Sequence, residues 1–298
     1  MAHRPDDPNR RVEADSTERG RVAADELSRV NGPLELQAAA LALLLPADSE
    51  RALLVWQAEC AAAPGAQALR GHITQLPGAA RLPWFEIVLA RLRNHPLAVR
   101  QSLLAATRRL MAANATVRPI DRLHWLAMRQ RLGELPAVSA PRGAGSTVSQ
   151  LPQAELQAIA VFSAFLSRMV PVGEAGGEPA AAAAEPAAVQ EAANAALPGA
   201  AWYAAVMAPW AHRGPTPPLE VPDTEGLVAA LHTLQALPWM QRPVLARGWL
   251  SAALQHSRHG RLTDSAADAL RLSCALLDSP VPPELARHYG ETHSAGRP

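Results

Sequence analysis

Lysine is absent from this chain, and all 28 basic side chains are arginine. Only two cysteines are present, which excludes a small scaffold stapled by several disulfides. Aromatic residues make up 4% of the 298 residues, and residues with high strand propensity are scarce. A charge imbalance is also missing. The 28 arginines face 27 acids, and a net charge of +1 creates no whole-molecule field for nucleic acid or membrane. Long apolar runs are lacking too. The nearest is Ala192 to Ala211, uncharged but rich in alanine and interrupted by Asn194, Pro198, Gly199 and Pro209. A membrane-spanning helix needs about 20 mostly apolar residues. This stretch reads instead as a short helix, Ala200 to Ala208, with Trp202 and Val206 on its buried face and Tyr203 nearby. The first residues, MAHRPDDPNRRVEADSTERGR, have no apolar segment and read as neither signal nor transit peptide.

Catalytic signatures are missing as well. There is no His-Glu-x-x-His zinc motif and no Gly-x-Ser-x-Gly elbow. Gly173, Gly176 and Gly177 lie in low complexity rather than after a strand, so they form no phosphate loop. His256 and His259 stand three apart at a helix end, but zinc needs a third ligand and none has diagnostic spacing. His288 and His293 read as solvated residues of a tail. Cys274 falls on an apolar stripe and reads as a buried thiol, while Cys60 lies far from it in sequence. Trp84, Trp125, Trp239 and Trp249 read as core or packing residues. The sequence therefore points to no catalytic residue, no metal site and no cofactor.

What is abundant is alanine, leucine and arginine, all good helix formers. This usage fits a GC-rich bacterial genome and implies an all-α cytoplasmic protein, with a peripheral position at the inner face of the membrane left open. Residues 1–30 read as a disordered arm, on charge and the absence of apolar runs. Residues 31–136 read as a first helical unit. Pro33 opens a helix over Leu34 to Leu45, and Asp48 or Ser49 caps the next over Glu50 to Ala63. Helices over Ala66 to Gln75, Leu82 to Arg93 and Leu97 to Ala113 follow, the last two separated by His95-Pro96. Pro119, Asp121 and Gly133 mark the start, first turn and end of another.

Residues 137–223 read as a linker with one or two helices, among them Glu155 to Val170. Its stretch at 171–200 reads as a disordered Ala/Pro/Gly/Glu insert. Residues 224–285 read as a second helical unit, with helices over Glu225 to Leu237, Pro243 to Ser257 and Thr263 to Leu277. Residues 286–298 read as a tail. The order helix, helix, short loop, capped helix thus occurs twice, at 82–133 and 225–278. Arg100 precedes Asp121 by 21 residues, and Arg242 precedes Asp264 by 22. This suggests two related units.

Charge is unevenly placed. From Arg70 to Arg142 twelve arginines face three acids, a local charge of +9 that leaves the rest of the chain at −8. Guanidinium forks suit carboxylates and phosphates. Arg91, Arg93, Arg108, Arg109, Arg118, Arg122, Arg129 and Arg131 are therefore the candidate surface for an anionic partner. A solvated helix face, or pairing with the acidic remainder of the chain, explains the same charges without a partner.

Two segments carry a family resemblance. LPWFEIVLARLRNHPLAVRQSLLAATRRLMAANATVRPIDRLHWLAMRQRLG, residues 82–133, and LPWMQRPVLARGWLSAALQHSRHGRLTDSAADALRLSCALLDSPVPPEL, residues 237–285, resemble helical units that follow the catalytic domain of bacterial HtpX-like membrane zinc metallopeptidases. GPLELQAAALALLLPADSERALLVWQ, from Gly32, resembles the start of that C-terminal region. Each unit is similar to TerB-like helical domains. The acidic Asp-Gly turn common in such units is replaced by Asn114-Ala115-Thr116 and Arg258-His259-Gly260, so cation binding there is not implied. The resemblance implies two TerB-like units joined by a low-complexity linker, acting as a non-catalytic interaction or regulatory module on a protein partner, for instance an inner-membrane protein. Two alternatives remain. One is binding of nucleic acid or anionic lipid through the basic first unit. The other is a fragment of a longer zinc metallopeptidase whose catalytic domain lies upstream.

Overall fold

A computed structural model describes residues 8–114, 117–133, 150–170, 199–257 and 260–290, with side chains from residue 17 onward. Among these residues there are thirteen α-helices and no strand. The chain divides into two compact units, Met1–Leu135 and Pro136–Pro298.

The first unit contains α1 (Pro8–Arg29), α2 (Pro33–Leu44), α3 (Glu50–Glu59), α4 (Ala66–Gln75), α5 (Gly78–Leu92), α6 (Leu97–Ala112) and α7 (Pro119–Arg131). Its centre is α2. Leu36 and every residue from Ala38 to Leu44 are buried. A helix that is apolar all round needs neighbours on every side, and α3, α4, α5 and α6 all pack on it. Trp56 of α3 is fully buried and donates its indole N–H to the Ala38 carbonyl at 3.2 Å. Pro33 starts α2, and the Ser49 hydroxyl caps α3 by accepting from the Ala52 N–H. Helix α5 begins four residues before the expected Leu82 and runs through Pro83. Pro83 is the sixth residue of this helix, where it forgoes the bond to the Ala79 carbonyl and crowds it.

The structure corrects, from residue 8 onward, the reading of residues 1–30 as a disordered arm; residues 1–7 lie outside the described residues. Helix α1 packs on α4, with Ala23 and Leu27 at 0% exposure and Gly20 buried against Pro77. The charges that suggested disorder lie on the outer face, where Arg21 pairs with Glu18 and Asp25, and Arg29 pairs with Glu26. A stripe at i, i+3 and i+7 of Gly20, Ala23 and Leu27 is enough to seat the helix.

The second unit contains α8 (Gln153–Leu166), α9 (Ala200–Met207), a 3-10 helix (Ala208–Arg213), α10 (Thr224–Gln235), α11 (Gln241–Gln255), α12 (Asp264–Leu276) and α13 (Pro283–His288). The boundary expected at 224 is corrected, because α8 belongs to the core rather than to a linker. It packs along α10, and Ile159, Phe162, Phe165 and Leu166 are fully buried. Phe162 stacks on Trp249 of α11 with ring centroids 5.4 Å apart. Trp249 donates to the Ser163 hydroxyl at 2.9 Å, and Trp202 of α9 donates to the Trp249 carbonyl at 3.1 Å. Gly199 enters α9 with φ +79°, and a Cβ there would lie 2.0 Å from the Ser167 carbonyl oxygen. Asp223 and Thr263 cap α10 and α12 through their side-chain oxygens. The insert expected at 171–200 falls, up to residue 198, outside the described residues.

The tail expected at 286–298 is corrected over residues 286–290, while residues 291–298, His293 among them, lie outside the described residues. Ala286 is buried, and α13 packs on α12. His288, expected to be solvated, contacts Asp264 at 3.1 Å with its side chain 19% exposed.

Candidate functional site

Helix α7 places Arg122, Trp125 and Arg129 at i, i+3 and i+7, which brings them to one side of the helix, with Arg118 at its N-cap. Arg108 of α6 lies over the Trp125 ring, with its Cζ 4.8 Å from the centroid, and the Arg129 Cζ lies 6.0 Å from it. A half-buried indole thus holds two guanidinium groups beside its π system. Arg93, at the end of α5, and Arg131, at the end of α7, are exposed, and Arg122 is half-buried. Among the described residues no carboxylate pairs with these three.

The other candidate arginines have structural duties. Arg91 donates to the Leu27 and Val30 carbonyls at 3.1 and 2.8 Å, closing the C-terminus of α1. Arg109 forms a two-bond fork on Glu59, with Nη2 to Oε2 at 2.8 Å, and this hydrogen bond holds the Glu59 carboxyl below its ordinary pKa. Arg118 binds Asp121 at 2.8 Å, while its backbone N–H donates to the same carboxylate at 3.0 Å. Asp121 is thereby both a first-turn anion and a buried ion-pair partner. The eight arginines therefore divide into Arg93, Arg108, Arg122, Arg129 and Arg131 on one hand, and Arg91, Arg109 and Arg118 on the other. For Arg91 and Arg109 the sequence pattern carried no sign of this division, because the partners Leu27, Val30 and Glu59 are 50–64 residues away, whereas the partner of Arg118 is local.

His124 faces Phe85 edge-on at 5.1 Å. Burial pushes its pKa down to about 4, against the pull of Asp121 and with the push of Arg118 and Arg81. The imidazole is neutral at physiological pH and adds no charge to this face.

A second cluster lies where α13 meets α12, and sequence reasoning missed it. The Tyr289 hydroxyl donates to Asp268 at 2.9 Å, the Arg271 Cζ lies 4.6 Å from the Tyr289 ring centroid, and His288 reaches Asp264. Burial raises the Asp268 pKa to about 6; Tyr289, His288 and Arg271 oppose the shift, and Asp264 reinforces it. The only available signal was the i, i+4 spacing of Asp264 and Asp268, which does not reveal their partners.

His256 ends α11, and His259 lies outside the described residues. Among the described residues no three His, Cys, Asp or Glu side chains are placed to hold a metal. Cys60 and Cys274 are both buried free thiols, and burial raises Cys60 to about 12, which removes nucleophilic character. A cleft of about 300 Å³ between the start of α8 and the 3-10 helix is lined by Leu156, Met207, Trp210, Arg213 and Pro217. Among the described residues no helix is long and apolar enough to cross a membrane. Of the four tryptophans read as packing residues, Trp249 is buried and Trp125 half-buried, but Trp239 is 72% exposed. Comparison with known protein families, with curated proteins and with solved structures returns no match for this chain.

Proposed function

We propose that this protein is a non-catalytic helical interaction module whose first unit engages an anionic partner through the α6–α7 face. The observation that carries the reading is the grouping of Arg108 and Arg129 around Trp125, with Arg122 on the same side of α7. Packing against the indole limits the motion of both guanidinium groups, so less side-chain entropy is lost when a carboxylate or phosphate binds. The resemblance to the C-terminal region of HtpX-like membrane zinc metallopeptidases suggests two TerB-like units and a protein partner at the inner membrane.

Charge reversal of Arg93, Arg122 and Arg131 tests the reading, since none of these three has a structural ion pair among the described residues. The tagged protein and the R93E/R122E/R131E variant are purified from the native host in mild detergent, and co-purifying proteins are identified by mass spectrometry. The expected result is a defined membrane-protein partner, lost from the variant and from the wild type at high salt. An unchanged partner set at low salt removes the basic face from recognition. Recovery of nucleic acid alone, with steep salt dependence, replaces the protein partner by a polyanion.

A further inference from the structure

The most exposed apolar group in the second unit lies at the start of α11. Trp239, Met240 and Val244 are 72%, 65% and 54% exposed. The fold does not require them, as the first unit shows. Pro96 through Arg100 and Pro238 through Arg242 share the spacing Pro-x-x-x-Arg. In both, the proline carbonyl accepts from the N–H three residues on, Val99 at 3.0 Å and Gln241 at 2.8 Å. In both, the arginine reaches the carbonyl that ends the next helix, Leu132 after α7 for Arg100 and Leu277 after α12 for Arg242. At the positions of Trp239, Met240 and Val244, the first unit carries Leu97, Ala98 and Ser102. The same turn therefore forms with far less apolar surface.

The shape and charge of this patch limit its occupant. Beyond Val244 the exposed side of α11 continues as Arg247, Gly248, Ser251 and Gln255, so the apolar part covers one turn only. A helix seated in a protein groove presents anchors over two or more turns. Three such side chains offer roughly 400 Å² at most, about half of what one side of a stable protein interface buries. The exposed side of α11 carries Arg247 and the helix carries no acid, so two copies meeting at this face bring like charges together. A short apolar tip with tryptophan at its edge and arginine one turn behind matches the boundary between headgroups and acyl chains.

We propose that the turn entering α11, from Trp239 to Val244, is a shallow anchor for an anionic lipid surface. Trp239, Met240 and Val244 enter the headgroup boundary, and Arg247, three residues after Val244, meets lipid phosphates. This inference does not rest on the arginine face of the first unit.

The test is sedimentation of the full chain with vesicles of phosphatidylcholine, alone or mixed with phosphatidylglycerol. The wild type is expected to partition onto the mixed vesicles and more weakly onto phosphatidylcholine. The W239S/M240S variant is expected to lose about tenfold or more in partitioning, because two large apolar side chains no longer leave water. Its thermal unfolding is expected to match the wild type, since both residues are exposed. The R93E/R122E/R131E variant is expected to keep most of the binding. Absence of wild-type partitioning overturns the proposal, as does undiminished binding by W239S/M240S. Loss confined to the arginine variant assigns any lipid contact to the first unit instead. A wild-type dimer that W239S/M240S converts to monomer, with vesicle binding unaffected, assigns the patch to self-association.

Discussion

The two units solve one problem alike and another in opposite ways. Each ends one helix with an arginine from the helix before it, Arg100 of α6 on Leu132 after α7 and Arg242 of α11 on Leu277 after α12. Each also holds a partly buried titratable side chain whose pKa burial shifts, and the two are of opposite type. In the first unit it is His124, pushed down to about 4, and in the second it is Asp268, pushed up to about 6. Burial disfavours the charged form of both groups. One physical cause therefore gives the two units opposite responses to pH. A similar arginine cap does not imply similar electrostatics, because one partly buried side chain sets the sign of the local response.

Removing the ring that organises the second unit has the largest expected effect. Trp249→Ala removes the stack on Phe162 and the bond to Ser163, and it opens a cavity beside Trp202. A loss of about 4 kcal/mol is expected in denaturant unfolding. Native-state amide exchange is expected to speed up in α8 through α11, with helices α2 and α3 little changed. Equal acceleration in both units breaks the treatment of each as its own compact body.

The pH responses come next. His124 binds its proton less readily when folded, so its contribution is present above the ordinary histidine pKa. That contribution is lost as pH falls through 6.5 toward about 4. Asp268 binds its proton more readily when folded. Its contribution is present below the ordinary aspartate value of 3.8 and is lost as pH rises through about 6. Each effect is at most about 3 kcal/mol. H124Q is expected to flatten the acid-side loss reported by α5 and α7. D268N is expected to stabilise α12 and α13 at pH 7 and to remove their alkaline-side loss. Amide exchange followed from pH 4 to 8 reads both, and slopes of the same sign in the two units contradict the comparison.

The arginine caps give the smallest effects. Arg100→Ala and Arg242→Ala each remove charge-assisted bonds to terminal carbonyls, a loss of about 1–2 kcal/mol. Arg242 is expected to cost more, because it serves both Leu237 and Leu277 and its side chain is only 14% exposed. Equal losses in urea unfolding make the two caps equivalent despite their different burial.

Helix starts and stops were legible wherever local chemistry decides them. Ala66–Gln75 lies between Gly65 and Pro77, and Ser49 and Thr263 cap their helices as their side chains allow. The all-α class was legible from composition. Helix α1 was not, since its charges outnumber the small residues of its buried stripe. The arginine face was only partly legible, as local charge density records neither Glu59 beside Arg109 nor the α1 carbonyls beside Arg91.

Alone, the sequence determined helical content, most helix ends and the concentration of positive charge between Arg70 and Arg142. These follow from backbone propensity, proline and glycine stereochemistry and simple counting. Tertiary structure alone decided which arginines cap helices and which face solvent. It also decided that Asp268 is buried beneath Tyr289 and that Trp239 protrudes while Trp249 is enclosed. Burial and ion pairing depend on residues far apart in the chain, and only folding brings those residues within a few ångströms.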